Sequence, residues 1–399
     1  MKKIVSLSLI ALSTLVYADM SIQPFLYKDP RIMGMGGVNT AVGGYSTAVF
    51  YNPAGLIKIK KSHGVEVELL GLGITSSEKT KTFIDDLSNS KDSEVINTLD
   101  KYSGDAFNAS ASNYSSVSYH TQNDIAYSLG ILAAVDANFM PHTNSGANGV
   151  LETHSRAYGG IFLSGAKKYT GIKLPLLGNK LDGSLTVGVT AKYITQKSYE
   201  AGLDLGEVVN NKDDLAQYLQ DTYEVDNSGF GLDVGFLYEF NNEKWNPAVG
   251  LSVMNIGTLD FEDAYGAQPL SVNLGVSISP KIPWFDDLKV GVDYIDLFNA
   301  QQMRVRNYNP YRSQDQYDNA NIEYELLQHL RIGASLGLVD NSWFMMTLNG
   351  GLYKGSYTAG FDMQLAIFKL QAATYQEQLG STIGQIEDRR YMLVVGIGW

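Results

Sequence analysis

Beyond residue 63 the chain alternates apolar and polar side chains with a period of two, the spacing of a strand with one apolar face. Ile125 to Phe139 shows this best. Ile125, Tyr127, Leu129, Ile131, Ala133, Val135 and Phe139 share one face, and Ala126, Ser128, Gly130, Ala134, Asp136 and Asn138 the other. Ser116 to Thr121 precedes it as the first arm of a hairpin around Gln122-Asn123-Asp124. The signature recurs at 185–193, 230–240 and 270–278. A first strand is expected at Gly64 to Thr75, and others centre on 158–165, 248–254, 289–294, 330–338, 344–352, 357–367 and 370–378. A last strand sets Tyr391, Leu393, Val395, Ile397 and Trp399 on one face.

The connections alternate in length. Short ones fall near 122–124, 170–181, 241–246, 280–287, 340–343 and 367–369. Between them lie 76–113, 140–149, 200–226, 256–268, 299–326, 353–356 and 380–388, mostly longer, although 353–356 is as tight as any turn. Seven of one kind and six of the other make 13 connections, hence 14 strands. Bacterial outer-membrane barrels have this pattern: an even strand number, long outer loops and short periplasmic turns.

The start of the chain decides between lipid and water on the apolar faces. Lys2 and Lys3 precede the apolar run Ile4 to Val16, and Val16-Tyr17-Ala18 is a small-x-small cleavage site, together a secretory signal. The alternative, a membrane anchor, fails because the run is too short and no run of about 18 apolar residues follows. In water the alternation would suggest a sandwich. Behind an export signal it predicts a transmembrane antiparallel β-barrel, lipid outside and a polar lumen inside, in the outer membrane of a Gram-negative bacterium. The expected organisation is a signal peptide over 1–18, an N-terminal plug over 19–62 and the barrel over 63–399.

Composition sharpens this reading. The formal charge of −12 falls to −14 once Lys2 and Lys3 are removed, which argues against nucleic acid as a partner. No cysteine is present, so disulfides and thiolate metal sites are excluded. A mean hydropathy of −0.11 suits strands apolar on one face only. Tyrosine (25 residues) favours membrane interfaces, and glycine (40) serves tight turns and crowded lumens.

Arg31 to Leu56, RIMGMGGVNTAVGGYSTAVFYNPAGL, precedes the strands. Ser46 to Phe50 predicts one or two helical turns, capped by Ser46 or Thr47 and ended by Asn52-Pro53. A phosphate-cradling reading of Gly34-Met35-Gly36-Gly37 lacks a strand before it and a Lys-Ser/Thr after it. A compact, tightly turned plug is the better reading. Helical spacing appears within two outer loops, at Phe83 and Leu87, at Ile96 and Leu99, and at Leu215, Leu219 and Tyr223. These residues form either a hydrophobic capture surface or the contacts by which loop helices cap the barrel. The need of short helices for burial favours the second.

Candidate chemistry is sparse. His63, His120, His142, His154 and His329 form no HExxH or other close metal pair, and no GxSxG occurs. Lys192, Asp233, Glu239, Lys289, Asp293, Arg331 and Asp362 fall on lumen faces. They are expected to pair with one another, with Lys28, Asp29 and Arg31 of the plug, or to face water, because unpaired burial is costly. No catalytic residue, cofactor or metal is implied.

The stretch from Arg31 resembles the N-terminal segment of the FadL/TodX superfamily of outer-membrane channels for hydrophobic compounds. The family pattern G-G-x-x-x-A … A-x-x-x-N-P-A-G-L maps onto Gly36, Gly37, Ala41, Ala48, Asn52, Pro53, Ala54, Gly55 and Leu56. The closing GSTIGQIEDRRYMLVVGIGW looks more like two side branches, the TraF-like barrels annotated with conjugal transfer and the PorV-like barrels of secretion systems. The final strand, with Tyr391, Ile397 and Trp399, resembles the signal read by the barrel-assembly machinery. The resemblance implies passive uptake of long-chain fatty acids or other hydrophobic small molecules. Such a ligand would land on outer loops, enter the lumen and leave through a side opening. Gly159-Gly160 is the one break comparable to the strand kink that makes this opening in the family. The side branches imply instead a non-transporting barrel that docks conjugation or secretion proteins. Membrane lipids and the assembly machinery are partners under either reading.

Overall fold

The computed structural model describes residues 20, 25–59, 65–142, 151–173, 182–283, 285, 287–307, 316–322, 324–341 and 343–398. Residues 1–18, expected to be a signal peptide, and Trp399 lie outside them. The barrel strands are β1 (Val65–Ser77), β2 (Phe107–His120), β3 (Ile125–Pro141), β4 (Leu151–Lys173), β5 (Asp182–Leu203), β6 (Glu224–Phe240), β7 (Ala248–Gly257), β8 (Ser271–Ile278) and β9 (Asp287–Tyr294), then β12 (Leu330–Asp340), β13 (Phe344–Tyr353), β14 (Ser356–Leu365), β15 (Phe368–Gln378) and β16 (Glu387–Gly398). These 14 strands form one closed sheet, in which each pairs with its sequence neighbour and β1 pairs with β16. Every pairing is antiparallel.

Period-two alternation gives this sheet its two faces. Leu72, Ile74, Tyr127, Leu129, Ile131, Ile161, Leu163, Val189, Val276, Leu393 and Val395 stand exposed on the outer surface. Ser128, Thr190, Asp233, Asp293, Asp362 and Gln371 are buried on the inner one. Strand number and connection order match the sequence expectation. Two local features differ. Residues 107–113, expected in a loop, continue β2 in register with β3 (Ala111 opposite Val135). Small outward side chains there, Ala109 and Ala111, leave no apolar alternation to read. The loop after β9 also holds a separate hairpin, β10 (Gln302–Asn307) with β11 (Gln316–Asn321). The wall is uneven: β4 and β5 have 23 and 22 residues, β8 and β9 only 8 each.

Residues 25–59 run inside the barrel. Asp29 caps a short helix, α1 (Pro30–Gly34), by accepting from Arg31 N at 2.8 Å. Gly36 and Gly37 then turn the chain at φ +71° and +81°. Two 3₁₀ helices follow, Ser46–Phe50 and Pro53–Lys58. Neither Ser46 nor Thr47 caps the first, because the helix starts at Ser46 and Tyr45 holds the cap position; their hydroxyls donate instead to carboxylates, Ser46 to Glu68 and Thr47 to Asp29. Asn52 caps the second, its Oδ1 accepting from Ala54 N at 3.0 Å.

The wall accommodates this segment by glycine. Eight strands adjacent around the barrel, β5 to β9 and β12 to β14, each present one glycine to it: Gly188, Gly235, Gly250, Gly275, Gly291, Gly333, Gly351 and Gly360. At each, atoms of the segment crowd the space a β-carbon would take. At Gly351 the Gly36 nitrogen lies 2.8 Å from that position. A side chain on these polar faces would hold the segment off the wall.

Candidate functional site

The sequence motif of the inner segment is buried throughout. Arg31 is 5% exposed, and Ala41, Ala48, Asn52, Ala54 and Leu56 are 0% exposed. The Arg31 guanidinium reaches Asp29 at 2.6 Å, lies 3.8 Å from Glu68 of β1 and covers the Tyr45 ring at 4.4 Å. Burial opposes charge on Asp29. The Arg31 guanidinium, the Thr47 hydroxyl and the Arg31 N–H outweigh it and hold the carboxyl below its ordinary 3.8. Asn52 ties the segment to itself and to the wall, donating to Thr40 O at 2.6 Å and to Phe236 O of β6 at 3.1 Å. Pro53 starts the second 3₁₀ helix. Gly55 packs against Gly43, and Gly44 N donates to Gly55 O at 3.0 Å, closing the hairpin between the two turns. The wall adds Asp293, which accepts from Asn39 N and Thr40 N at 2.7 Å each, Ser277 on Ala41 O at 3.0 Å, and Thr358 on Gly34 O at 2.7 Å.

The remaining lumen charges, Asp362 apart, have local partners. Lys192 binds Asp233 at 2.7 Å, Lys168 binds Glu239 at 2.8 Å, and Lys289 binds Asp287 at 2.9 Å. Arg331 donates to Gln328 O at 2.7 Å. Lys28 pairs with Glu377, a residue not singled out from sequence. Asp362 departs from the expected pairing: it is buried, and its Oδ1 has no hydrogen-bond partner among the described residues. Higher in the barrel, His154 touches Glu152 at 2.6 Å and Glu200 at 3.0 Å, Arg304 reaches Glu200 at 2.6 Å, and Met20 N donates to Glu152 at 3.1 Å. Among the described residues no group of three or more His, Asp or Glu is arranged to hold a metal ion.

The other candidate residues are positioned as follows. At Gly159 and Gly160 β4 keeps unbroken register with β3 and β5, so the wall is continuous there. Irregular pairing lies elsewhere: between Leu69 and Leu72 of β1, where Leu70 has φ +53°, between Thr170 and Ile172 of β4, between Leu232 and Val234 of β6 opposite β7, and between Gly337 and Val339 of β12. The loop helices are α2 (Thr80–Asn89), α3 (Val95–Lys101), α4 (Leu205–Asn211) and α5 (Leu215–Tyr223). They bury Phe83, Leu87, Leu99 and Leu219 in one cluster with Phe107, Leu151 and Leu203, against which Ile96, Leu215 and Tyr223 pack partly buried. These side chains therefore cover one another and the upper ends of β2, β4 and β5. Tyr391 stands exposed on β16, and Ile397 lies opposite Leu69.

Two chambers flank the strap Phe25–Lys28. The first, about 100 Å³, is lined by Phe25, Phe50, Met33, Met254, Pro269 and Ile295 together with the polar Lys28, Lys192, Asn255 and Arg331. Met254 and Asn255 come from β7 beside the β6–β7 irregularity, which turns both towards the lumen. The second, about 70 Å³, is lined by Tyr158, Tyr375, Ser110, Ser112, Asp136, Glu377 and Arg390. No periodicity signals either chamber, because each is assembled from residues far apart in the chain.

Comparison with known proteins gives the fold a setting. The chain is similar to the Ralstonia pickettii toluene transporter TbuX (TM-score 0.52, 13% identity, 94% of this chain and 98% of that one). It is similar to a mutant TodX monoaromatic hydrocarbon channel (TM-score 0.54, 11% identity, 93% and 98%). It is also similar to the Pseudomonas putida toluene transporter TodX (TM-score 0.50, 11% identity, 94% and 99%). At these identities the likeness is one of fold. No protein-family model matches the chain, and no curated protein matches it by sequence.

Proposed function

We propose that this chain is an outer-membrane channel for small apolar solutes, with 1–18 a cleaved export signal and 19–62 a plug. The belt of exposed apolar side chains supports a lipid setting, since apolar surface of that extent is covered by lipid or protein. Even β8, with 8 residues, approaches the length a tilted strand needs to cross the hydrocarbon core.

The observation that carries the reading is the first chamber. Phe25, Leu26, Met33, Phe50, Met254, Pro269 and Ile295 give it apolar walls beside its polar and charged lining residues, and its 100 Å³ has room for about eight water-sized groups. That is the size of a single aromatic ring with a small substituent. A long acyl chain would need the strap to move. The strand irregularity at Met254 and Asn255 is where a side exit fits best, because chamber and wall defect meet there.

The test is uptake of labelled toluene and labelled oleate by cells lacking their own hydrophobic-compound channels. These cells express the intact protein or Met254→Trp. Toluene uptake is expected with the intact form. The indole, filling the chamber, should slow it about thirtyfold, since one buried ring is worth about 2 kcal/mol. Equal toluene uptake by both forms would remove the chamber from the route.

A second reading, a docking barrel of the conjugation or secretion type, is favoured by one observation: hydrogen bonds from β6, β8, β9 and β14 fix the inner segment to the wall. No uptake of either compound by a folded surface barrel would shift the reading to this one, and cross-linking to conjugation or secretion proteins would follow.

A further inference from the structure

The second chamber differs from the first in chemistry. Its walls come from β1 to β4, β15 and β16, with the strap closing one side. Two of its charged groups lack a full set of partners. Asp136 of β3 uses Oδ1 to accept from Asn108 at 2.8 Å, Ser110 at 2.7 Å and Asn138 at 3.3 Å. Its Oδ2 makes no hydrogen bond among the described residues, the nearest cation being Arg156 Nε at 4.0 Å. Arg390 of β16 uses Nε on Asp388 at 2.6 Å and Nη2 on Asn138 Oδ1 at 3.0 Å, leaving Nη1 without a partner among the described residues. Asn138 stands between the two, donating to the carboxylate and accepting from the guanidinium, so they face the chamber together without forming an ion pair of their own.

The surroundings are balanced in charge. Lys28 and Glu377, also lining the chamber, pair with each other. A free anion or a free cation would meet both signs at once. The hydroxyls of Ser112, Thr75 and Tyr375 add hydrogen-bonding capacity to the same lining and have no hydrogen bond among the described residues. At about 70 Å³ the space takes about six water-sized groups, a molecule the size of a small amino acid.

We propose that this chamber is a binding site for a small zwitterion, its carboxylate on Arg390 and its ammonium on Asp136. Guanidinium and carboxylate each keep one open position for a charge-assisted hydrogen bond, the strong kind in a water-poor lumen. The Asn138 amide keeps the two from neutralising each other. The site lies across the strap from the first chamber, the two sharing only Phe25, Leu26 and Lys28 in their linings, so a channel for apolar solutes would carry a second, polar station.

The experiment is equilibrium dialysis of radiolabelled L-alanine against the detergent-purified, folded full-length protein. Propionate, n-propylamine and glycerol serve as competitors. Saturable alanine binding is expected, displaced by excess unlabelled alanine at concentrations where none of the three competitors displaces it. Asp136→Asn keeps the hydrogen bonds that hold the wall and removes the charge, and it should weaken binding at least about tenfold, the loss of one charge-assisted contact. Arg390→Lys, which keeps charge but not the fork, should weaken it as well. Met254→Trp, in the first chamber, should leave alanine binding unchanged. No saturable binding, binding that survives Asp136→Asn, or displacement by glycerol as readily as by alanine would each overturn the proposal. Folding of every variant is checked by the heat shift of the barrel on gels.

Discussion

A barrel carrying Arg31→Leu is expected to close normally but to leave its inner segment open to protease. Asp29 is 0% and Glu68 2% exposed, and both lie within 4.0 Å of the Arg31 guanidinium. Removing the cation leaves two buried carboxylates facing each other, and breaking a buried charge pair in this way costs about 3–5 kcal/mol. Thr47 and the Arg31 N–H still satisfy Asp29, so the damage falls on seating and not on the barrel ladder. Limited proteolysis of the heat-modifiable barrel should cut within 25–59 in the variant and spare the intact protein. Arg31→Leu combined with Asp29→Asn and Glu68→Gln should recover much of the protection, since no uncompensated charge then remains. Equal protection in Arg31→Leu and the intact protein would show that the ion cluster does not hold the segment.

The second large effect is expected from one methyl group. At Gly333 of β12 a β-carbon would overlap the Met35 carbonyl oxygen, whereas at Gly350 of β13 its closest neighbour is Thr358 O at 4.0 Å. Gly333→Ala must therefore push the segment off the wall, and overpacking of this kind costs about 1–3 kcal/mol. A shift of about 2 kcal/mol changes the ratio of seated to unseated segment about thirtyfold. In planar bilayers, Gly333→Ala should raise the time spent in open, ion-conducting states by about that factor, and Gly350→Ala should not. Identical conductance in the two variants would mean that the segment yields without leaving its seat, and that the glycine contacts are not what hold the lumen closed.

The sheet was legible because alternation is a local property. Ile125 to Phe139 reads as a strand from its own residues, and connection lengths alone give the number of strands and their order. Where outward positions are small, as at Ala109 and Ala111, the same rule is silent and β2 looks shorter than it is. The burial of Phe83, Leu87, Leu99 and Leu219 follows from helical spacing because short helices cannot persist without apolar contact. The seating of the inner segment was half legible. The motif around Asn52 announces a tight turn, yet the wall groups that hold the segment, the Phe236 carbonyl on Asn52 and Asp293 on Asn39 and Thr40, lie more than 180 residues away. Lumen glycines such as Gly235 and Gly333 carried a signal that only a closed barrel explains: each sits on the polar face of its strand, where a side chain would otherwise be expected. Both chambers depend on which strands face across the lumen, and no spacing in the chain records that.

Closure through β1 and β16 makes the fold all-or-none in chain length. The strand that seals the cylinder is the last of the 14 barrel strands in chain order, and its partner is the first. A chain stopped anywhere before Glu387 would present two unsatisfied strand edges, each bordered by the exposed leucines and isoleucines of the outer belt. Such edges recruit other chains. An incomplete barrel is thus marked for aggregation by its own geometry, and the closed barrel sheet carries no edge at which to start.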